Sequence, residues 1–149
     1  MNKKVILVTG GSRGLGSAFV EKLASDGGNT VYFTYLNSDE KAALMEDRFD
    51  NAFAVKCDQR DEAQVKSCIE KIFSEQGRID VLVNNACPGF TPVELLKSDW
   101  ACFHEILDTN LKGAYFFINE AGKIMRDQSS GKIINVLTSY VLNIPPEKI

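Results

Sequence analysis

The sequence has 149 residues, of which 44% are hydrophobic and 25% are charged, and this composition is typical of a single globular domain. The formal net charge of −3 gives no support to a nucleic-acid partner or to binding at an anionic membrane surface. The apolar runs fall far short of the roughly 20 residues of a membrane span, and the apolar run after Lys3 and Lys4 is too short for a signal peptide, so a cytoplasmic location is expected.

The first predicted element is a buried strand that leads into a glycine-rich turn. The run Val5–Val8 is apolar and β-branched, and from Leu15 onward apolar residues recur at helical spacing. A strand that turns sharply into a helix directs backbone N–H groups and the positive end of the helix dipole at an anion, most often a phosphate. Gly10 can adopt a positive φ, Gly14 allows the backbone to approach a pyrophosphate, and Gly16 allows the helix to pack closely. A plain strand-to-helix turn is the alternative, whereas a nucleoside-triphosphate loop is excluded because no Gly-Lys-Ser/Thr follows.

Strands and helices alternate along the rest of the chain. The first helix is predicted to end near Asp26, and Ser38 is predicted to cap a second helix that ends near Arg48. The capping box that begins at Asp61 starts a third helix, which Gly77 ends. The predicted strands share β-branched and aromatic composition, and they are residues 5–8, 30–35, 52–56, 79–83 and 133–137.

The longest predicted helix begins at a cap, Ser98, and extends to about Met125. Its apolar residues recur at steps of three and four, which predicts one continuous buried face, weakened locally by Asn110 and Gly113. Further apolar residues lie partly off this face, so the helix is also predicted to form an oligomer surface. The predicted face consists of Trp100, Phe103, Leu107, Leu111, Ala114, Ile118, Ala121 and Met125, and the further residues are Ala101, Cys102, Tyr115, Phe116 and Phe117.

The four cysteines include no Cys-x-x-Cys pair, so free buried thiols are expected rather than a metal or redox site. The single histidine, His104, has no histidine or cysteine four residues on, and it is expected at the surface or at an interface. No metal is therefore predicted. The cysteines are Cys57, Cys68, Cys87 and Cys102.

The alternation predicts an α/β fold class. Five strands and four helical segments imply parallel βαβ crossovers, and hence a doubly wound parallel sheet with helices on both faces. In such sheets the ligand lies outside the carboxyl ends of the strands, where the strand order reverses. The residues at those ends are 9–16, 35–38, 57–58, 84–87 and 137–140, and all are expected to face one crevice.

Several strand ends resemble the short-chain dehydrogenase/reductase family. The spacing Gly10-x-x-x-Gly14-x-Gly16 after Thr9 is similar to the family's cofactor turn, and Asn84-Asn85-Ala86 is similar to its Asn-Asn-Ala-Gly turn, with Cys87 in place of the glycine. Asn110, three residues before a glycine, resembles the family's helical asparagine, and an orientation toward solvent is disfavoured because Asn110 precedes Leu111 on the predicted buried face. The resemblance implies a Rossmann sheet in the order 3-2-1-4-5, incomplete on its C-terminal side, and similarity to reductases of carrier-protein-linked 3-ketoacyl groups.

The resemblance also implies roles for individual residues. Asp58 stands where the family has an acid that accepts a hydrogen bond from the adenine amino group, although a turn aspartate is an equally good interpretation. Asn110 would hold a water that connects to the active-site lysine. Ser139 is favoured as the hydroxyl that donates to the substrate carbonyl, and Thr138 is the close alternative. The predicted cofactor contacts are Thr9, Gly10, Ser12, Arg13, Gly14, Leu15, Gly16, Tyr35, Asn37, Asp58, Asn84, Asn85 and Ala86.

The end of the second strand favours NADP over NAD. An acid that binds the ribose hydroxyls of NAD belongs at this strand end, but the chain has Tyr35 there. Arg13 can make a forked contact with a 2′-phosphate, helped by Ser12 and Asn37. The nearby acids at positions 39 and 40 argue mildly for NAD. The substrate would be a small carbonyl or alcohol compound, including one bound to a carrier protein, and the related reductases suggest a homodimer or homotetramer.

The family's Tyr-x-x-x-Lys pair is missing from the sequence, because no tyrosine is followed by lysine at the fourth position. We therefore interpret residues 1–149 as a cofactor-binding domain truncated before that pair, and we expect no turnover from this chain alone. The last predicted strand would then lie at an unpaired edge of the sheet, with Lys132 as the charged residue that disfavours pairing with another chain. A non-catalytic nucleotide-binding or regulatory module is the alternative function. A flavodoxin-like binder is disfavoured, because the turn at 84–86 has no role there.

Overall fold

The sheet has five parallel strands in the order β3-β2-β1-β4-β5, which confirms the predicted order. The structure is a computed structural model, and it describes residues 3–89 and 99–137. The strands are β1 (Val5–Val8), β2 (Thr30–Tyr35), β3 (Ala52–Lys56), β4 (Val81–Asn84) and β5 (Lys132–Asn135). The helices are α1 (Gly14–Ser25), α2 (Asp39–Arg48), α3 (Glu62–Gln76), α4 (Trp100–Leu107) and α5 (Ala114–Asp127), and a π-helical segment (Asp108–Gly113) joins the last two.

The first strand of the chain lies at the centre of the sheet. β1 pairs with β2 on one side and with β4 on the other, so that Leu7 aligns with both Tyr32 and Leu82. Val5 and Leu7 belong to a core that α3 and α5 cover, whereas Ile6 and Val8 belong to a second core under α1 and α2. Because alternate residues of a strand point to opposite faces, this central strand is apolar throughout.

β5 forms one edge of the described sheet, and all four of its residues are exposed. The aliphatic side chains of Ile133 and Ile134 remain 38% and 48% exposed. The observed strand is shorter than the predicted one and begins one residue earlier, at Lys132. Its pairing nevertheless continues past the strand, because the N–H of Val136 donates to the carbonyl of Asn84.

Two of the predicted helix caps differ in their contacts. Asp61 caps α3 as predicted, since its carboxylate accepts hydrogen bonds from the N–H groups of Ala63 and Gln64. The Gln64 side chain, however, accepts from the N–H of Asp58 at 3.0 Å, outside the helix. Ser38 occupies the cap position of α2, but its hydroxyl makes no capping bond within the described part of the chain. Asp61 therefore stabilises its helix start through its side chain, whereas Ser38 does not.

The prediction of one continuous buried face on the long helix is wrong. The segment begins at Trp100 after Asp99, whose carboxylate accepts from the N–H of Cys102, and the predicted cap at Ser98 lies outside the described residues. The π-helical turns change the spacing of residues along the axis, so the face of α4 does not continue into α5. The buried residues are Gly113, Phe117, Ala121 and Met125, whereas Trp100, Phe103, Leu107, Leu111 and Tyr115 are exposed.

The four cysteines are free, as expected, but only Cys57 and Cys68 are buried. The hydrogen bond between them and the burial of the pair raise the pKa of Cys68. Cys87 is exposed and Cys102 is half-buried, so the expectation of buried thiols is wrong for these two. His104 is exposed, with Nδ1 3.9 Å from the Asp108 carboxylate.

Among the helices that the structure describes, none has the length and apolarity required to cross a bilayer.

Candidate functional site

The carboxyl ends of β1, β2, β3 and β4 meet the start of α1 around a crevice of about 550 Å³. This is the position that the doubly wound topology predicts for a ligand. Residues from α4 and the π-helical segment close one side of it. The residues that line it are Gly10, Ser12–Gly16, Thr34–Ser38, Cys57–Arg60, Asn85–Gly89, Glu105 and Thr109.

The glycine turn brings the start of α1 against the end of β1. Gly10 has a φ of +67°, and a Cβ at Gly16 would lie 2.1 Å from the Gly10 carbonyl oxygen, so neither position accepts a side chain. Gly14 has a φ of +57° and opens onto free space, with nothing within 4 Å of a Cβ built there. The Arg13 side chain makes no capping bond to α1 within the described residues. The first N–H groups of the helix therefore face the crevice, where an anion can accept their hydrogen bonds.

Thr9 joins the glycine turn to the turn after β4. Its hydroxyl oxygen accepts hydrogen bonds from the N–H of Asn85 at 3.0 Å and from the N–H of Ala86 at 2.9 Å. In return, the Asn85 side-chain amide donates to the Thr9 carbonyl at 2.9 Å and to the Gly10 carbonyl at 3.3 Å. Thr9 is buried and does not line the crevice, but its hydrogen bonds hold the two turns that do.

Thr34, near the end of β2, is a second support that the sequence reasoning missed. Its hydroxyl oxygen accepts from the N–H of Gly10 at 3.1 Å, and its carbonyl accepts from the N–H of Gly11 at 2.9 Å. A β-branched residue inside a predicted strand carries no signal of such a contact. The glycine turn is thus hydrogen-bonded to both neighbouring strands.

The end of β2 presents no free carboxylate to the crevice. Burial raises the pKa of Tyr35, and the nearby Asp39 carboxylate raises it further, so its phenol is neutral at physiological pH. Lys56 donates to both oxygens of Asp39, at 2.8 and 3.2 Å, and this contact lowers the pKa of that carboxyl group. Arg13 is exposed and lines the same crevice. Of the two acids that argued for NAD in the sequence, Asp39 is paired with a lysine, and neither Asp39 nor Glu40 lines the crevice.

Asp58 lies in the crevice wall and also has the contacts of a turn aspartate. One carboxylate oxygen accepts from the backbone N–H of Arg60 at 3.0 Å, and the Arg60 guanidinium binds both oxygens. The hydrogen bond from the Arg60 side chain lowers the pKa of Asp58. The two interpretations of Asp58 are compatible, since the turn contacts leave its carboxylate 22% exposed.

Gln59 is a further residue that sequence reasoning did not find. Its buried amide donates to the Thr109 carbonyl at 2.6 Å and lies 3.5 Å from the Ala86 carbonyl. A Cβ at Gly113 would lie 2.7 Å from the Gln59 side chain, so the glycine makes room for it. Gln59 thereby connects the turn after β4 to the π-helical segment.

All the predicted cofactor contacts line the crevice except Thr9 and Asn84. Asn84 is buried, and its amide donates to the Asn135 side chain at 2.8 Å across β4 and β5. Asn110 is exposed and does not line the crevice, so the expectation that it faces the buried side of the helix is wrong. Thr138 and Ser139 lie outside the described residues.

A family model described as short chain dehydrogenase matches residues 4–145. The chain belongs to the short-chain dehydrogenase family. It is 38% identical over 141 residues to the 3-oxoacyl-(acyl-carrier-protein) reductase FabG of Staphylococcus aureus, a match that covers 89% of this chain and 55% of that relative. The chain thus spans about half the length of this reductase.

Two solved structures of the short-chain dehydrogenase family have the same fold. A mutant short-chain dehydrogenase/reductase from Serratia marcescens matches with a TM-score of 0.87 and 31% identity, covering 95% of this chain and 58% of that one. A metagenomic short-chain oxidoreductase in complex with NADP matches with a TM-score of 0.81 and 31% identity, covering 89% of this chain and 61% of that one.

Proposed function

We propose that the crevice binds NADP(H), and that the chain is the cofactor-binding part of a short-chain oxidoreductase. The observation that carries the proposal is the glycine turn, in which the uncapped start of α1 and the open space above Gly14 form a cradle for a pyrophosphate. The NADP complex of a structural relative supports the same ligand class. Asp58 and the turn that contains Asn85 and Ala86 line the rest of the crevice.

The choice of NADP rests on charge at the end of β2. Tyr35 presents a neutral phenol, Asp39 is paired with a lysine, and Glu40 does not line the crevice, so the described lining at the end of β2 has no carboxylate to repel a 2′-phosphate. Arg13 supplies a forked guanidinium, which binds phosphate through two charge-assisted hydrogen bonds. Ser12 and Asn37 line the same crevice and offer further polar groups.

When bound, the cofactor supplies a hydride to a carbonyl carbon. The part of the reaction that this chain performs is to bind and orient the dinucleotide, through the helix start, Asp58 and Arg13. The substrate we propose is a carbonyl compound such as a carrier-linked 3-ketoacyl group, in line with the reductase relative. Thr138 or Ser139 would donate to the carbonyl oxygen, and assembly through the α4 surface is part of the proposal.

A nucleotide-binding module without turnover is the second candidate function. It would use the same glycine turn and crevice, which bind a nucleotide whether or not turnover follows. Both candidates require cofactor binding and differ in catalysis. A binding measurement therefore tests what they share, and a rate measurement separates them.

Titration of the chain with NADPH and NADH by isothermal calorimetry tests the cofactor proposal. We expect tighter binding of NADPH, and an Arg13→Ala change should weaken NADPH by about tenfold or more with little effect on NADH. Arg48→Ala is the matched control, because it removes an exposed arginine paired with Glu21 on the α1–α2 surface. Tighter binding of NADH by the wild type, or an Arg13→Ala variant with unchanged NADPH affinity, would overturn the choice of NADP.

A further inference from the structure

The Asp58 carboxylate in the crevice wall is held by one neighbour, Arg60. The backbone N–H and Nε of Arg60 donate to Oδ1 at 3.0 and 2.9 Å, Nε also lies 3.2 Å from Oδ2, and Nη2 donates to Oδ2 at 2.7 Å. Nη1 of the same guanidinium lies 3.7 Å from the Glu105 carboxylate of α4. The planar guanidinium therefore fixes the orientation of the carboxylate as well as its charge.

The number of acceptor positions on the Asp58 carboxylate limits what it can still bind. An ionised carboxylate has about four acceptor positions, two on each oxygen. The three N–H groups of Arg60 fill both positions on Oδ1 and one on Oδ2, and the Nε–H is shared between the two oxygens because Nε lies 2.9 Å from Oδ1 and 3.2 Å from Oδ2. Among the described residues, the last position on Oδ2 has no protein donor, and the Asp58 side chain is 22% exposed in the crevice. It can accept one N–H, and it repels a carbonyl oxygen in the same place.

The backbone around Asp58 is fixed independently of the Arg60 side chain. The Gln64 side chain accepts from the N–H of Asp58 at 3.0 Å, and the N–H of Asp61 donates to the Asp58 carbonyl at 3.0 Å. Gln64 is itself held at the start of α3, because its amide donates to Asp61. Loss of the Arg60 guanidinium therefore frees the carboxylate to rotate but leaves the loop in place.

We propose that Arg60 is a positioning residue for base recognition, which holds the single open acceptor of Asp58 toward the crevice. The site then selects a base that carries an exocyclic N–H donor, such as adenine, over a base with a carbonyl oxygen at that position. The inference rests on the proposed dinucleotide function. It adds a residue that acts through Asp58.

The test compares NADP⁺ with its hypoxanthine analogue, in which a carbonyl oxygen replaces the adenine amino group. Affinities are measured by calorimetry on the full chain and on Arg60→Met, which keeps an unbranched side-chain stem but removes the donors. We expect the wild type to prefer NADP⁺ by about tenfold, since one hydrogen bond to a charged group changes affinity by at least that much. In Arg60→Met the preference should fall to about twofold through weaker NADP⁺ binding.

Arg78→Met is the matched control. Arg78 makes a similar forked contact with Asp80, but before β4, at the end of the sheet away from the crevice. Its loss should lower stability and leave the preference for NADP⁺ unchanged. Arg60→Lys keeps the charge but not the fork, and it should recover part of the preference. It also serves as the test variant if Arg60→Met does not fold.

The outcomes separate this inference from the proposed function. Failure of the wild type to bind either dinucleotide would overturn the proposed function and the inference with it. NADP⁺ binding by the wild type with an unchanged preference in the folded Arg60 variants would overturn the inference alone. Tighter NADP⁺ binding by Arg60→Met would also overturn it, because the arginine would then compete with the base for Asp58.

Discussion

Replacing Thr9 with valine removes one hydroxyl on which two backbone N–H groups depend. Valine has nearly the same shape as threonine, and Thr9 is 1% exposed, so packing in the core is preserved. The N–H groups of Asn85 and Ala86, at 3.0 and 2.9 Å, lose their acceptor. At about 1–2 kcal/mol for each unsatisfied N–H, we expect Thr9→Val to lower the free energy of unfolding by about 2–4 kcal/mol.

Thr34→Val is the matched control for this prediction. Thr34 is also buried and β-branched, but its hydroxyl accepts from one N–H, that of Gly10 at 3.1 Å. The expected loss is therefore about half as large, about 1–2 kcal/mol. Urea unfolding followed by circular dichroism measures both variants. With a slope of about 2 kcal/mol per molar urea, Thr9→Val should move the midpoint down by about 1–2 M.

The comparison between the two threonines decides whether the reasoning holds. Equal losses for the two variants would refute it, because the cost would then follow the loss of any buried hydroxyl rather than the number of N–H groups left without an acceptor. A loss for Thr9→Val well under 1 kcal/mol would also refute it, and would mean that the turn at Asn85 relaxes and pairs elsewhere.

Three further predictions concern the apolar surface of α4 and the π-helical segment, the pH dependence of stability, and turnover. Leu111→Glu should abolish self-association without unfolding the chain, because Leu111 is 68% exposed among other apolar residues; light scattering that finds the wild type monomeric would contradict this. Because Arg60 lowers the pKa of Asp58 below its ordinary value of 3.8, the stabilisation from this pair is complete above that value and is lost as the pH falls through the lowered pKa. The difference in unfolding free energy between wild type and Arg60→Met should therefore shrink on acidification to about pH 2, and a constant difference in urea titrations would argue against it. Residues 1–149 should bind NADPH but not oxidise it with a 3-ketoacyl thioester; turnover at the rate of a reductase that has Tyr-x-x-x-Lys would show that the pair is dispensable.

The strands and the glycine turn were predictable because each is encoded locally. Val5–Val8 is apolar at every position, since both faces of a central parallel strand are covered, and the glycines follow directly. Gly10 and Gly16 have local reasons, a positive φ and a close backbone contact, that no other residue type satisfies. The family resemblance then supplied the sheet order, which the structure confirms.

The buried face of the long helix and the contacts in the crevice could not be predicted in this way. Apolar residues recur on more than one side of the helix, and periodicity does not state which side packs against α3. The π-helical segment changes the number of residues per turn, and the sequence of apolar residues does not indicate this change. Leu111 is exposed and Phe117 is buried. Gln59 acts through contacts with Ala86 and Thr109, which only folding brings near, and its residue type does not indicate those partners. Arg60 pairs with Asp58, two positions earlier, but the two residue types do not indicate that the pair lies in the crevice.

The central position of β1 has a consequence for biosynthesis. Thr9 leaves the ribosome early, but the N–H groups that its hydroxyl accepts from lie 76 and 77 positions later in the chain. β1, β2 and β3 can pair as soon as they are made, whereas β1 waits for β4 on its other side. A nascent chain that ends before Ala86 has the glycine turn without the partner turn that holds it. The crevice is thus completed only after Ala86 has been made, well after the first three strands.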